Sequence, residues 1–412
     1  MKAIAINPDR LLQALNRLRA IGVSGTGVNR PAYSEADRAG REWLVREMID
    51  AGLDARIDGI GNVHGRCRQP KAILSGSHCD SVPNGGWLDG AFGVIAALEA
   101  ARVVNAVAQG EIGIDVIAFA DEEGTFRGTL GSRVFCGELA DEELSQVRDR
   151  QGNRLADAVE RCGWTGRPIQ RLDDHRHLAF IEAHIEQGPV LDASGDEVGI
   201  VTGIVGIRRL AVGFTGRADH AGTTPMAMRR DAGAAVVEFA AGLPRLLTPL
   251  GGPDTVWNVG MLRLVPGFGN VVPEFGEAII EYRDLDEEIL LAADEVVARF
   301  AAEVASRHRT ACSIETVART PPLRTDAALA DALEQTAIRL CARCRRMPSG
   351  AGHDTLVIGT RVPSAMIFAP SIGGRSHHVV EDTAPADLVR VAQILASALA
   401  KLVDSDRWRE GR

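Results

Sequence analysis

The sequence predicts an α/β protein with a doubly wound mixed sheet and a smaller α+β domain inserted into it. Buried strands alternate with helical segments over residues 1–207 and again over 321–412, which is the order of βαβ units. Between them, residues 208–320 alternate apolar and polar side chains in strands that interleave with two helices, as in a ferredoxin-like fold. A chain of 412 residues also exceeds what one hydrophobic core supports, so two domains are expected.

The larger domain can be followed element by element. Apolar residues at helical spacing predict helices, and short apolar runs bounded by Gly, Pro or Asp predict strands. The predicted elements are a helix around Leu11–Leu18, a helix over 34–51, a strand pair over 54–64, a strand before His78, a helix over 91–109, a strand over 112–120, polar helices over 137–178, a strand over 179–184, a helix over 326–344, a strand over 364–368 and a helix over 387–403.

Composition and charge argue against several classes of partner. The chain has 46 Lys and Arg against 55 Asp and Glu, a formal net charge of −9, so it lacks the basic excess expected for nucleic acid or an anionic membrane. No window approaches the roughly 20 apolar residues of a membrane span, and the first residues lack a signal-peptide pattern. These features predict neither a nucleic-acid partner nor a membrane partner.

The cysteine pattern predicts reduced thiols and a cytoplasmic protein. The seven cysteines are scattered and odd in number. Cys341-x-x-Cys344 has the spacing of half a zinc site or a redox pair, but no second such pair accompanies it. We therefore expect ordinary thiols on a helix. His175 and His177 lie in a polar run and are expected at the surface.

Four predicted strands of the larger domain end in side chains that can bind a metal. In open α/β sheets, ligands bind in the crevice outside the carboxyl ends of the strands. Nitrogen and oxygen donors suit Zn²⁺, Mn²⁺, Co²⁺ or Ni²⁺, and an acidic residue able to bridge would hold two such ions about 3.5 Å apart. A lone histidine at a strand end is usually structural. Here metal-binding side chains occur at the ends of four strands, which favours a metal site. The residues are His78, followed by Asp89, then Glu122–Glu123, His184 and His377–His378.

Eight segments between residues 76 and 378 resemble the M20 metallopeptidase-type amidohydrolases, within them the hydantoinase/carbamoylase branch. That branch contains N-carbamoyl-L-amino acid hydrolases, β-ureidopropionases and allantoate amidohydrolases. The segments are GSHCDSVPNGGWLDG (76–90), DEEG with GSR (121–133), HIEQGPVLD (184–192), GRADHAGTTPM (216–226), GFGNVVP (267–273), EYRD (281–284), SGAGHD (349–354) and GRSHH (374–378).

The resemblance implies a site with two divalent metal ions, Zn²⁺ first among them. It implies that His78, Asp89 and His184 hold one ion, that Asp89 bridges, and that Glu123 and His377 hold the second. Glu122 is then the general base that takes a proton from a metal-bridging water and returns it to the leaving nitrogen.

The resemblance further implies a homodimer, with the inserted domain as its lid and dimerisation domain. His220, Asn270 and Arg283 would bind the substrate carboxylate and polarise the scissile carbonyl, partly across the dimer. An arginine suits a carboxylate because its planar fork makes two hydrogen bonds. Gln187 and His353 are the remaining predicted substrate contacts.

The sequence departs from the family pattern at three places. His377 is followed by His378, and the match to Gly-x-Ser-His favours His377 as the ligand with His378 as the alternative. The loop after Glu123 is short, and Trp87 stands where a basic residue is common. We expect the last two changes to alter the wall of the pocket and hence the substrate.

The predicted function is hydrolysis of the linear amide or ureido bond of a small carboxylate substrate, most simply an N-carbamoyl-L-amino acid. Allantoate-like ureido acids and small dipeptides are the alternatives. A catalytically silent binding protein on the same fold is the alternative from a different class. The presence of Glu122 together with all five ligand residues argues against it.

Overall fold

The computed structural model describes residues 4–405 and 407, and the chain forms two compact units. The first unit contains the chain up to Thr202 and from Thr325 onward, and the second is Gly203–Arg324. These boundaries lie outside the 207/208 and 320/321 positions expected from sequence. The reason is that Leu323–Arg324 pairs antiparallel with Gly203–Ile204. This pairing links the first and last residues of the inserted unit and so adds both segments to it.

The helices of the described residues include two that begin with the side-chain caps their sequences suggest. The Ser34 hydroxyl accepts a hydrogen bond from the backbone N–H of Asp37, and Asp326 accepts one from Leu329. Helices α1 to α12 are Pro8–Ala20, Glu35–Asp50, Ala91–Asn105, Leu130–Phe135, Asp141–Gln146, Leu155–Arg161, Val190–Ser194, Ala232–Leu247, Glu287–His308, Ala327–Arg339, Asp354–Ile358 and Pro385–Val403. No helix in the described part of the chain has both the length and the apolar character that a membrane crossing requires.

The strands follow the same chain order. Strands β1 to β17 are Val23–Ser24, Gly27–Val28, Asp54–Ile57, Val63–Arg66, Lys71–His78, Ile112–Phe119, His177–Ile185, Val198–Ile204, Gly206–Thr215, Asp219–His220, Val256–Val265, Val271–Val272, Phe275–Asp284, Ala311–Thr320, Leu323–Arg324, Cys344–Ser349 and Ser364–Ala369.

The sheet of the first unit is mixed, as predicted. Its strands run in the order β8-β17-β7-β5-β6-β4-β3, and β16 also pairs with β8. The neighbours β17, β7, β5 and β6 are parallel, whereas β3, β4 and β8 pair antiparallel. The carboxyl ends of the four parallel strands therefore meet at one edge of the sheet, where open α/β sheets bind ligands.

Both faces of this sheet are covered. The consecutive residues Ile73 and Leu74 of β5 belong to different hydrophobic clusters, because successive side chains of a strand point to opposite faces. The first cluster includes the buried sides of α1, α2, α3 and α12, and the second contains Phe119, Phe135 and Phe180. Strand β6 is buried at every position, which explains its near-continuous apolar sequence.

The second unit has the connectivity of a ferredoxin-like fold. Its antiparallel sheet runs in the order β11-β13-β9-β14, with α8 between β9 and β11 and α9 between β13 and β14. Phe214, Phe239, Tyr282 and Phe300 are the aromatic side chains buried in its core. The role of this unit as a lid or dimerisation domain stays a prediction.

The segment around Cys341 and Cys344 differs from expectation, because the two residues do not lie on a helix. Helix α10 ends at Arg339, and Cys341 adopts a left-handed conformation with φ 58°. The backbone N–H of Ala342 donates to the carbonyl of Ala337, which closes a Schellman-type turn that apolar spacing does not reveal. Both cysteines are free thiols, as predicted.

The polar run over 137–178 also differs from expectation. It contains only the short helices α5 and α6, and His177 is buried as the first residue of β7. Its Nε2 lies 3.4 Å from Oδ2 of Asp115, while Arg176 donates to the two Asp115 oxygens at 2.7 and 2.8 Å. Charged residues that pair across the sheet give no hydropathy signal, so the burial was missed. His175 is exposed, as predicted.

We expect Asp115→Asn to lower the free energy of unfolding by about 3 kcal/mol, because it leaves the Arg176 guanidinium buried without its charge partner. Burial raises the pKa of Asp115, but hydrogen bonds from His177, Arg176 and the Cys67 backbone outweigh it and lower the pKa to about 2. The unfolded carboxyl has a pKa near 4, so this stabilisation is present above about pH 4 and is lost as the pH falls through about 2.

Urea unfolding of both proteins between pH 7 and pH 2 measures this effect. The stability gap between wild type and Asp115→Asn should narrow below about pH 4. A gap that stays constant over this range would show that the charge of Asp115 is not its cause.

Candidate metal centre

Strands β5 and β7 bring two histidines together beside one aspartate. His78 is the last residue of β5, His184 lies near the end of β7, and Asp89 lies in the loop before α3. The Nε2 atoms of His184 and His78 lie 3.3 and 3.6 Å from Oδ1 of Asp89, and all three residues are buried. Gly90 has φ 62°, and a Cβ there would lie 2.4 Å from the His78 ring. Only glycine therefore fits beside this group.

The other oxygen of Asp89 belongs to a second group. Nε2 of His377 lies 3.2 Å from Oδ2 of Asp89 and 3.5 Å from Oε2 of Glu123. Glu123 follows β6, and His377 follows β17. His378 is engaged elsewhere, since its Nδ1 accepts a hydrogen bond from the backbone N–H of Val380. The structure thus brings the five predicted ligands together and divides them between the two oxygens of Asp89.

The donor atoms fit a pair of divalent ions. Tetrahedral coordination with bonds of about 2.0–2.2 Å places neighbouring donors about 3.3–3.6 Å apart, close to the 3.2–3.6 Å separations found here. Nδ1 of His78 and Nδ1 of His184 lie 3.1 and 2.9 Å from backbone oxygens, which orients their Nε2 atoms toward Asp89. Oε1 of Glu123 is buried and has no hydrogen-bond partner within the described residues, and such an oxygen requires one.

The charges of the site are strongly coupled. Burial raises the pKa of Asp89, but hydrogen bonds from His184, His377 and His78 outweigh it and hold the pKa well below its usual range. The hydrogen bond to Asp89 is also the main reason that the pKa of His377 is raised to about 9. Burial raises the pKa of Glu123 to about 7. Asp89 is therefore the anionic centre of both groups.

Glu122 lies beside the cluster and belongs to neither donor group. Its Oε2 is 3.7 Å from Nε2 of His78, and its side chain is 12% exposed. Burial is the largest cause that raises the pKa of Glu122 well above its usual value; His78 opposes the shift, whereas Glu123 and Asp354 add to it. A carboxylate with a raised pKa is suited to accept and return a proton near neutral pH.

Two predicted substrate contacts lie next to the cluster. Nε2 of Gln187 donates a hydrogen bond to Oδ2 of Asp89 at 2.9 Å and lies 3.4 Å from Nε2 of His377. His353 is buried with its ring centroid 4.5 Å from that of His184, and Ser349 lies within hydrogen-bond distance of its Nε2. Burial, followed by the neighbouring His184, holds the pKa of His353 well below its usual value. The surroundings of His353 therefore favour its neutral form.

The other three predicted contacts lie in the second unit. The segments of His220 and Asn270 adjoin, because the backbone N–H of Ala221 donates to the Asn270 carbonyl at 2.9 Å. Arg283 lies on β13, and its guanidinium is 2.7 Å from Oε1 of Glu281. Within this unit the pairing of β10 with β12 brings His220 next to the segment of Asn270, and Arg283 lies on the sheet.

Trp87 is buried rather than part of an open wall. It is 8% exposed and belongs to the main hydrophobic cluster, and the Arg19 guanidinium lies 4.6 Å from the centroid of its ring. The side chain therefore packs the loop that carries Asp89, and its effect on the pocket wall stays a prediction.

Glu381 is a residue of the site that was not predicted from the sequence. This residue is 2% exposed, and its Oε1 accepts hydrogen bonds from the backbone N–H groups of Leu88 and Asp89, both at 3.0 Å. Its Oε2 accepts one from the Ser376 hydroxyl at 2.7 Å. The available signal was an acidic residue four positions after His377, a position that reads as solvent-exposed because Asp382 follows it.

Comparison with known proteins confirms the resemblance. Residues 74–401 match the model of peptidase family M20/M25/M40. The chain is 36% identical over 407 residues to an N-carbamoyl-L-amino-acid amidohydrolase of Paenarthrobacter aurescens, covering 96% of this chain and 98% of the relative. It is 34% identical over 414 residues to a ureidoglycolate hydrolase of Oryza sativa subsp. japonica, covering 96% of this chain and 85% of the relative.

A solved amidase of the hydantoinase/carbamoylase family from Burkholderia phymatum has a similar structure. It matches with a TM-score of 0.92 and 42% identity, covering 98% of this chain and 99% of that one. The chain belongs to peptidase family M20/M25/M40.

Proposed function

We propose that this protein is a di-metal amidohydrolase that hydrolyses the linear C–N bond of a small carboxylate substrate, with an N-carbamoyl-L-amino acid as the leading candidate. The observation that carries the proposal is the position of Asp89 between two donor groups, with Glu122 beside them. The name of the Paenarthrobacter relative supports the choice of substrate.

His78, Asp89 and His184 would hold one divalent ion, and Asp89, Glu123 and His377 the other. The donors suit Zn²⁺ first, and also Mn²⁺, Co²⁺ or Ni²⁺. When bound, such a pair of ions polarises the substrate carbonyl and makes water a stronger nucleophile.

Glu122 performs the proton transfers in this proposal. Its carboxylate takes a proton from the attacking water and returns it to the nitrogen of the breaking C–N bond. The water oxygen forms a new bond to the carbonyl carbon, and the amine leaves with the proton that Glu122 held. An N-carbamoyl amino acid would thereby give the free amino acid and carbamate, which decomposes to ammonia and carbon dioxide.

The family resemblance supports the choice of the substrate-binding residues in this proposal. We assign the substrate carboxylate to Arg283, whose planar guanidinium suits a bidentate pair and already contacts Glu281. His220 and Asn270 are assigned to the scissile carbonyl. Gln187 and His353 would contact the substrate from the side of the metal ligands, since they adjoin Asp89 and His184.

A second candidate substrate class is the ureido acids, including allantoate, followed by small dipeptides. The ureidoglycolate hydrolase relative favours the ureido acids. A silent binding protein on the same fold is disfavoured, because Glu122 and five candidate ligands are present together.

We expect metal-reconstituted protein to hydrolyse N-carbamoyl-L-amino acids with a higher kcat/KM than allantoate or dipeptides. Release of the amino acid and of ammonia, measured across a panel of all three classes, tests this ranking. Preference for allantoate would move the assignment to the ureido acids. Bound metal without turnover of any panel member would contradict the proposal and favour the silent binding protein.

We also propose that the enzyme acts as a cytoplasmic homodimer. The family resemblance supports the dimer, and the free cysteines support a reducing compartment. Sedimentation of the metal-loaded protein at micromolar concentration distinguishes a dimer from a monomer.

A further inference from the structure

The Glu381 carboxylate joins the two segments that carry Asp89 and His377. Oε1 accepts the backbone N–H groups of Leu88 and Asp89, and Oε2 accepts the Ser376 hydroxyl. The sequence separation between Asp89 and Glu381 is 292 residues. Both carboxylate oxygens are thus engaged by the protein, so Glu381 is not placed to be a sixth ligand.

Gln187 and Ser376 fix the direction of the Asp89 side chain. Oδ2 of Asp89 accepts from Nε2 of Gln187 at 2.9 Å, and the Ser376 hydroxyl that binds Glu381 lies 3.4 Å from this oxygen. Oδ1 remains beside His78 and His184. A carboxylate that serves two ions must keep each oxygen on its own side.

Gly86 provides the space that the Glu381 carboxylate occupies. A Cβ on Gly86 would lie 1.9 Å from Cδ and 2.0 Å from Oε1 of Glu381. Gly86 is not among the residues with positive φ, so only the close approach of Glu381 requires glycine there. An added methyl group would displace the carboxylate without straining the backbone.

We infer that Glu381 is a positioning residue that fixes the backbone of Asp89 against the His377 segment, so that the two oxygens of Asp89 serve different metal ions. The inference rests on the di-metal site of the proposed function. Partners that orient metal ligands typically contribute 10–100-fold to metal affinity. Glu381 acts through Asp89 and Ser376 rather than on the substrate.

Metal affinity tests this inference directly. The metal-free protein is titrated with Zn²⁺ in competition with a chelator of known affinity, for wild type, Glu381→Ala and Gly86→Ala. Both variants are expected to bind Zn²⁺ about 10–100-fold more weakly, and Glu381→Gln, which keeps an acceptor for the two backbone N–H groups, is expected to recover most of the affinity. Excess metal should restore much of the lost kcat.

Two matched controls separate positioning from general stability. Asp58→Asn alters another buried carboxylate, whose Oδ1 accepts the two backbone N–H groups of Ile60 and Asn62. Gly110→Ala adds a methyl group where nothing lies within 4 Å of the new Cβ. Both controls should bind Zn²⁺ with the wild-type affinity, even if thermal unfolding shows that Asp58→Asn is less stable.

Wild-type Zn²⁺ affinity in Glu381→Ala or Gly86→Ala would overturn the inference, and so would an equal loss of affinity in Asp58→Asn. This result is distinguishable from failure of the proposed function. A wild-type protein that binds Zn²⁺ but hydrolyses no substrate leaves the affinity comparison intact, whereas one that binds no divalent ion refutes both.

Discussion

Replacing Glu122 by glutamine is expected to lower kcat by about 10²–10⁴-fold, the usual contribution of a positioned general base. The amide cannot take the proton of the attacking water. Metal content should stay at the wild-type level, because Glu122 belongs to neither donor group around Asp89. Steady-state kinetics with the best panel substrate and metal analysis of the same samples measure both quantities.

Glu111→Gln serves as the control, since it makes the same chemical change at an exposed position of the first unit. It should keep the wild-type kcat. Full activity in Glu122→Gln would show that another group moves the proton. A loss of metal in this variant would instead assign Glu122 as a ligand.

Replacing Asp89 by alanine is expected to reduce bound metal from two ions per chain to a trace and to abolish turnover. Asp89 is the one residue shared by the two donor groups, and its loss leaves His78, His184 and His377 without their common anion. Chelation of the wild-type protein should abolish activity in the same way, and added Zn²⁺, Mn²⁺, Co²⁺ or Ni²⁺ should restore it. Metal analysis and activity after dialysis provide the measurements.

The neighbouring histidines supply a matched comparison for this prediction. His377→Ala should lose the ion held with Glu123 and keep the one held by His78 and His184, whereas His378→Ala should keep both. Two bound ions in Asp89→Ala would contradict the bridging assignment. If His378→Ala loses an ion and His377→Ala does not, His378 rather than His377 is the last ligand.

The mixed sheet was predictable because its signal is local. A strand buried on both faces, such as Ile112–Phe119, has a nearly continuous run of apolar residues, which can be recognised without knowing its neighbours in the sheet. The end of α10 was not predictable from the sequence. Cys341 adopts the left-handed conformation that usually ends a helix at a glycine, and a cysteine does not indicate this conformation. The boundaries of the inserted unit depend on the pairing of Leu323 with Ile204, which is also absent from local pattern.

The candidate ligands were predictable for a related reason. His78 and His184 lie at the ends of buried strands and Glu123 comes four residues after one, so the strands themselves set the positions of these residues at the sheet edge. The buried cluster of Asp115, Arg176 and His177 was missed, because its charges compensate one another only after the chain has folded. Glu381 was missed because the backbone N–H groups that it accepts, those of Asp89 and Leu88, lie 292 and 293 residues away in the sequence.

The sequence by itself determined the α/β class, the two-part organisation, the family resemblance and the set of donor residues, because these depend on residue type and on periodicity along the chain. Only the tertiary structure decided that each oxygen of Asp89 faces a different donor group, that His377 rather than His378 joins Glu123, and that Glu381 braces Asp89. Those choices depend on hydrogen bonds between distant segments, whose geometry has no counterpart in local sequence.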